Sequence, residues 1–178
     1  MKINIAAEIF PPDIGGPATY SKKIVDELLV RGHKIKLFCY GQKDNGRYNF
    51  PVIKISRQVI LPLRYFFYWW KLFCQSFGVD VIYAQGPVGS GWPALGVKKI
   101  LRKKLVVKVV GDYAWEQWQG RDTRYKIQNT KFINLEDFQK MKFSGKIGWL
   151  KKIERKVCRQ ADAVIVPSFY LKKIVVSW

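Results

Sequence analysis

Six short runs rich in Ile, Val and Leu punctuate the chain, at residues 2–7, 34–40, 51–56, 79–84, 105–110 and 163–166, and helix-length stretches separate most of them. Apolar runs of about 4 to 8 residues bounded by turn formers suit strands buried on both faces. Parallel strands need a long crossover, which a helix supplies in a right-handed sense. The pattern therefore predicts an α/β fold: an open, mainly parallel sheet with helices on both faces.

The first unit is the most explicit. KINIAA at 2–7 runs into FPPDIGGP, a segment dense in turn formers, which suits a buried strand ending in a loop. A helix opens there with Pro17 at a first helical position. Tyr20, Ile24 and Leu28 share one face with Val25 and Leu29 beside them, and Gly32 lies just past the end. Near the other end, Ser168 is placed to cap a last apolar helix that runs to Trp178. Before it, helical spacing sets Ile147, Leu150, Ile153 and Val157 on one face and Lys151, Lys152, Arg155 and Arg159 largely elsewhere, as on a solvated face.

A length of 178 residues fits a single domain with a substantial core, and 48% apolar residues argue against disorder. Cys39, Cys74 and Cys158 are widely spaced and odd in number, with no C-x-x-C pair. That indicates neither a disulfide framework nor a zinc site, so no metal is expected, and it points to a reducing compartment. The first residues lack the long apolar core of a secretory signal, because Glu8 interrupts them. The expectation is a cytoplasmic protein.

Charge is the unusual quantity. Against 32 Lys and Arg stand 13 Asp and Glu, a net +19 that attracts polyanions: nucleic acid, anionic lipid headgroups or phosphorylated substrates. An RNP signature, helix-turn-helix spacing and a Cys/His finger are all missing, which disfavours nucleic acid. Two segments break the rhythm of strands and helices. PLRYFFYWWKLFCQSF at 62–77 is apolar on nearly every face, yet too short to cross a bilayer. It suits burial against the sheet or another domain. It equally suits docking, with KKILRKK (98–104) and KKIERKVCRQ (151–160), on an anionic membrane surface at the inner face of the cell membrane. Residues 113–145, rich in Trp, Asp, Arg, Gln and Asn, are too long for an ordinary connection and read as a functional excursion.

In an open parallel sheet, ligands bind beyond the carboxyl ends of the strands, where helix N-termini favour anions. Three loops lie there. Gly15 and Gly16, after the first strand, let the backbone approach a phosphate or sugar, or else make a tight turn. Gly86, Gly89 and Gly91 in QGPVGSGWP either cradle a ligand or serve a turn and close helix packing. GDYAWE at 111–116 puts two carboxylates and two aromatic rings behind Gly111. Asp112 or Glu116 is a candidate to orient a hydroxyl nucleophile, and Tyr113 or Trp115 to stack on a sugar, the alternative being that Asp112 caps the following turn. His33, the only histidine, lies at the opposite edge and reads as a turn residue.

FPPDIGGPATYSKKIVDELLVRGHKI, VDVIYAQGP, VVKVVGDYAWE and ADAVIVPSFYLKKIV, in this order, resemble the N-terminal domain of GT-B-fold glycosyltransferases of family 4. The resemblance spans nearly the whole chain. It implies a Rossmann-like domain, residues 1–178, that forms the acceptor side of a two-domain enzyme whose donor-binding C-terminal domain lies outside this chain. The implied reaction is retaining transfer of a hexosyl group from a nucleotide-diphosphate sugar to a glycan or lipid-linked acceptor, with no cofactor and no catalytic metal. By the same resemblance Gly15 and Gly16 lie near the donor phosphates, Gly86, Gly111, Asp112 and Tyr113 line the cleft, and Ser168 lies near the interdomain connection. Many members carry histidine before the glycine of the fifth-strand motif, where this chain has Val110. That leaves Asp112 and Glu116 for hydroxyl positioning. On its own this half is expected to have little transferase activity. A nonenzymatic sugar- or nucleotide-binding module is the alternative function, and a basic nucleic-acid-binding domain a more distant one.

Overall fold

The computed structural model of the chain describes residues 1–42, 48–121 and 133–178. Six strands, β1 (Lys2–Ala6), β2 (Lys34–Tyr40), β3 (Val52–Ile55), β4 (Val81–Ala84), β5 (Lys104–Lys108) and β6 (Ala163–Ile165), form one sheet in the order β3-β2-β1-β4-β5-β6. Every pairing is parallel, with Ile5 of β1 opposite Leu37 of β2 on one side and Tyr83 of β4 on the other. The chain first steps outward from β1 to β3, then returns across the sheet to β4 and steps the other way. The crevice between β1 and β4 is thus the topological switch point.

Alternation along the strands assigns the two faces. Ile3, Ile5, Ile35, Leu37, Cys39 and Tyr83 pack with Val25 of helix α1 (Gly16–Val30). Ala6, Phe38, Ile82, Ala84, Leu105 and Val107 face the opposite way, against the larger helical layer. That layer holds α2 (Leu61–Cys74), α3 (Gly91–Leu101), α4 (Tyr113–Arg121), α5 (Leu135–Lys140), α6 (Gly145–Gln160) and α7 (Phe169–Val176). Fully burying each Ile, Leu or Val of these layers stabilises the fold by about 1.5 to 3 kcal/mol. Reversal of direction at the switch point sends α1 and α3 to opposite faces, as right-handed crossovers require.

The expected strands appear: β2 keeps its range, β1, β3, β4 and β6 lose one or two residues at one or both ends, and β5 starts one residue earlier and stops two earlier; α1 runs from Gly16 with Pro17 in its first turn and Gly32 beyond its end. Two readings of local pattern change. Ile147, Leu150, Ile153 and Val157 are buried on α6 as spacing requires, but so are Lys151 and Glu154. Lys151 does not belong to a solvated face: its ammonium donates to Phe138 O at 2.8 Å, Met141 O at 3.1 Å and Gln139 O at 3.3 Å. These carbonyls close α5, and a cation there satisfies the helix C-terminus, although burial pulls the Lys151 pKa down. The excursion at 113–145 resolves into α4, α5 and the start of α6, and its middle lies outside the described residues.

Candidate functional site

Because all six strands are parallel, the loops after β1, β4, β5 and β6 share one edge of the sheet, and these four strands are neighbours in it. That edge carries Gly15 and Gly16, Gly86, Gly111 to Glu116, and Ser168. His33 lies at the other edge, 3.4 Å from the amino terminus through Nδ1.

The central feature of the edge is a carboxylate that periodicity did not single out. Glu8, two residues beyond β1, reaches over the switch point and accepts the Gly89 N–H at 3.1 Å. A Cβ on Gly89 would lie 2.5 Å from both Cδ and Oε1 of Glu8, and one on Gly86 would lie 2.8 Å from Oε1. Among the roles considered for this glycine loop, its close approach is to the protein's own carboxylate. Burial raises the Glu8 pKa, with the Glu116 charge adding to it against the Gly89 hydrogen bond.

GDYAWE divides its two acids between two tasks. Asp112 is buried at 3% exposure, and both oxygens are engaged: Oδ1 accepts the Trp115 N–H at 2.7 Å and Oδ2 accepts Gln139 Nε2 at 2.6 Å. It caps α4. Burial nevertheless lifts its pKa, opposed by those hydrogen bonds and by Lys151 and Arg155. Glu116, one turn into α4, is exposed and folds back over Gly111, where a Cβ would lie 2.5 Å from its Oε1. Partial burial and the Asp112 charge raise its pKa as well. Tyr113 is half-buried, with its hydroxyl under the influence of Glu8, Glu116 and Glu154. Trp115 packs its ring against Trp118 and Phe138, each centroid 5.1 Å away, and so serves the layer beneath.

Glu154 supplies the floor. From α6 it accepts the Tyr113 N–H at 2.7 Å and the Ala114 N–H at 3.3 Å. Burial, reinforced by Asp112, pushes its pKa up to about 8. With Asp112 on Trp115, the first turn of α4 has its amide donors taken by protein carboxylates. An anion has little to bind there.

α1 is the opposite case. Gly15, at φ 149° and ψ 159°, is its N-cap, and no side chain caps its first turn. Such a backbone conformation is open essentially to glycine alone. A Cβ added to Gly16 would meet nothing within 4 Å, so open space lies against that turn. Pro17 brings no N–H and the Thr19 N–H bonds Gly15 O at 3.1 Å, so the Gly16 and Ala18 amides with the helix dipole are what this turn offers an anion. Ser168 caps α7 by accepting the Leu171 N–H at 3.1 Å. Val110 stands 59% exposed on the rim. Among the described residues no group of His, Cys, Asp and Glu has the arrangement to hold a metal ion.

Sequence reasoning missed Glu8 and Glu154. A signal existed for the second: Glu154 is the one acid of α6 and falls on the stripe of Ile147, Leu150 and Val157. Glu8 carried only its position, directly after a buried run.

A family model described as Glycosyltransferase Family 4 matches residues 14–178. The chain is similar in structure to a protein from Listeria monocytogenes described as a UDP-N-acetylglucosamine 2-epimerase, with TM-score 0.64, 10% identity, and coverage of 99% of this chain and 42% of that one. It is also similar to a UDP-GlcNAc 2-epimerase from Methanocaldococcus jannaschii, with TM-score 0.61, 10% identity, and the same 99% and 42% coverage. No curated protein matches the chain. At 10% identity these structures speak to the fold, which they share, and this chain spans 42% of the length of each.

Proposed function

Since the chain belongs to glycosyltransferase family 4, a GT-B glycosyltransferase-type domain, we propose that it forms the acceptor side of an enzyme that transfers a hexosyl group, with retention, from a nucleotide-diphosphate sugar to a glycan or lipid-linked acceptor. In this reading a second Rossmann-like domain faces the carboxyl edge and holds most of the donor. The nucleotide sugar is a substrate, and no cofactor or metal takes part.

One observation carries the reading. The α4 N-terminus is filled by Glu154 and Asp112, whereas α1 opens through Gly15 and Gly16 with no side-chain cap and with free space beside it. A departing diphosphate develops negative charge, and preorganised amides at a helix N-terminus stabilise it best where water is excluded. Across the switch point, Glu116 and Glu8 present carboxylates of raised pKa to the same edge. A base whose pKa approaches the working pH is better suited to take a proton from an attacking hydroxyl. Glu116 is the proposed hydroxyl-facing group and Tyr113 its neighbour against the sugar. Asp112 acts through the position of α4. Ser168 marks the approach of the second domain. That both structural neighbours bear the name of an enzyme of UDP-GlcNAc adds support for a nucleotide sugar.

The test is transfer by the intact protein, offered UDP-, GDP- and ADP-sugars with glycan and lipid-linked acceptors. Products are read by mass spectrometry and their anomeric configuration by NMR. The expected result is a retained anomer, with Gly16→Val raising KM for the sugar nucleotide and Glu116→Gln lowering kcat. An inverted product overturns retention. Saturable binding with no transfer from any donor leaves a nonenzymatic sugar- or nucleotide-binding module.

A further inference from the structure

α2 has two apolar faces, and the sheet needs only one. Tyr68 and Leu72 are fully buried, the Tyr68 hydroxyl lying 2.9 Å from Ala7 O and 3.0 Å from Phe38 O. On the outer side Leu63, Phe66, Phe67 and Trp70 follow at positions i, i+3, i+4 and i+7. This is the stripe an amphipathic helix normally buries, yet they are 47%, 51%, 41% and 49% exposed. Ile60 and Leu61 before them and Phe77 after them are exposed too. The rings form a continuous strip: Phe66 lies nearly parallel to Trp70, with centroids 6.4 Å apart, and Trp69, Phe73 and Phe77 continue it at 5.4 and 5.3 Å. Monomeric proteins rarely leave so contiguous an apolar surface open unless it binds something.

The same strip borders a groove of ≈ 300 Å³ between α2 and α3, lined in part by Phe66, Trp69, Trp92, Lys99 and Lys156. Trp69 fits into it because position 96 is glycine, where a Cβ would come within 2.9 Å of the indole. Lys156 sets its ammonium 5.2 Å from the Trp92 ring centroid. The segment of sequence that carries the strip and the groove's α3 wall is strongly basic. Residues 48–111 contain ten Lys and Arg and a single acid, Asp80. That acid accepts the Lys2 N–H at 2.7 Å.

We propose that this face docks on an anionic bilayer. Leu63, Phe66, Phe67 and Trp70 enter the boundary between headgroups and acyl chains, and Lys99 and Lys156 meet lipid phosphates. An aromatic strip edged by lysine matches such an interface, where rings take the apolar side and ammonium groups the wet one. A second copy of this chain would bring the same lysines face to face on a protein of net charge +19, which opposes association. Among the described residues no helix is long and apolar enough to cross a membrane, so α2 lies along the surface. The docking claim stands without the transferase reading. If both hold, an acceptor rooted in the bilayer is presented at the carboxyl edge, because Tyr65 lines the groove and its hydroxyl, raised in pKa first by burial, also feels the Glu8 carboxylate of that edge.

The experiment is co-sedimentation of the chain with vesicles of phosphatidylcholine alone and of phosphatidylcholine mixed with phosphatidylglycerol. Binding is expected to the mixed vesicles only. It should weaken by about tenfold or more in Phe66→Ser/Trp70→Ser and in Lys99→Glu/Lys156→Glu. Bromine-labelled acyl chains should quench tryptophan emission in the wild type and less in Trp70→Phe, a variant that keeps an aromatic ring and so keeps the fold. The proposal is overturned by failure to bind mixed vesicles, or by binding that neither double variant alters. It is equally overturned by a dimer, seen by light scattering without lipid, that Phe66→Ser/Trp70→Ser dissociates.

Discussion

Glu154 on α6 accepts the backbone N–H of Tyr113 on α4 at 2.7 Å, so the first turn of one helix is closed by a carboxylate from another. The contact joins residues 41 apart and lies under the edge that bears the candidate site. It assigns the loop after β5 a structural floor and leaves the α1 N-terminus as the open one.

Glu154 should make stability depend on pH. Its folded pKa of about 8 lies above the value of about 4.3 for an unfolded glutamate, so the folded state holds the proton more tightly between the two. Stability is therefore greatest at the acid end of that window, falls as pH rises through it, and levels off above about 8. The fall attributable to this group is on the order of a few kcal/mol. Glu154→Gln should flatten the slope without abolishing it, since Asp112 and Glu8 are raised in the same sense. Denaturant titrations across the window measure this; an unchanged slope in the variant would refute the assignment.

Glu8 and Gly89 should be energetically coupled. A methyl on Gly89 collides with the Glu8 carboxylate, which is also hemmed in by Gly86. Gly89→Ala is expected to cost about 1 to 3 kcal/mol. The Glu8→Ala/Gly89→Ala double variant should lose less than the sum of its parts, read as a double-mutant cycle by chemical unfolding. Strict additivity would mean that the two do not meet.

Gly15 and Gly16 should separate fold from function. At φ 149°, Gly15→Ala is expected to destabilise by about 1 to 3 kcal/mol. Gly16→Ala, with nothing within 4 Å of its new Cβ, should melt within a degree or two of the wild type, as substitutions away from contacts usually stay within about 0.5 kcal/mol. A bulkier Gly16→Val should reduce sugar-nucleotide binding, measured by calorimetry. Undiminished binding would remove phosphate from this turn.

Tyr68 and Trp70, two residues apart on α2, should behave in opposite ways. Tyr68→Phe removes a buried hydroxyl shared by two carbonyls and is expected to lower stability by about 1 kcal/mol while leaving vesicle binding intact. Trp70→Ala should leave the melting temperature nearly unchanged and reduce vesicle binding, because its ring is half exposed. Thermal melts and co-sedimentation on the same preparations decide between these outcomes.

Much of the fold was legible along the chain. The run KINIAA before FPPDIGGP, and the spacing of Tyr20, Ile24 and Leu28, announce β1, its loop and α1 through side-chain periodicity alone. The cap at Ser168 was equally local, since its partner is Leu171. The sequence around Asp112 suits both a cap and a hydroxyl-orienting group, and the observed side chain is bonded as a cap. Lys151 departs from its local pattern: a lysine next to Lys152 reads as solvated, whereas its partners are carbonyls at the end of a separate helix.

By itself, then, the sequence determined the order of strands and helices, the glycine-bearing loop that opens α1 and the excess of positive charge, all properties of residues near one another. Tertiary structure alone decided that Glu8 reaches Gly89 across 81 positions, that Glu154 closes α4, and which apolar face of α2 the sheet covers. The physical reason is the same in each case. Periodicity reports which residues share a face, and where both faces are apolar, or the partner is a distant amide, only packing of the whole chain selects the contact.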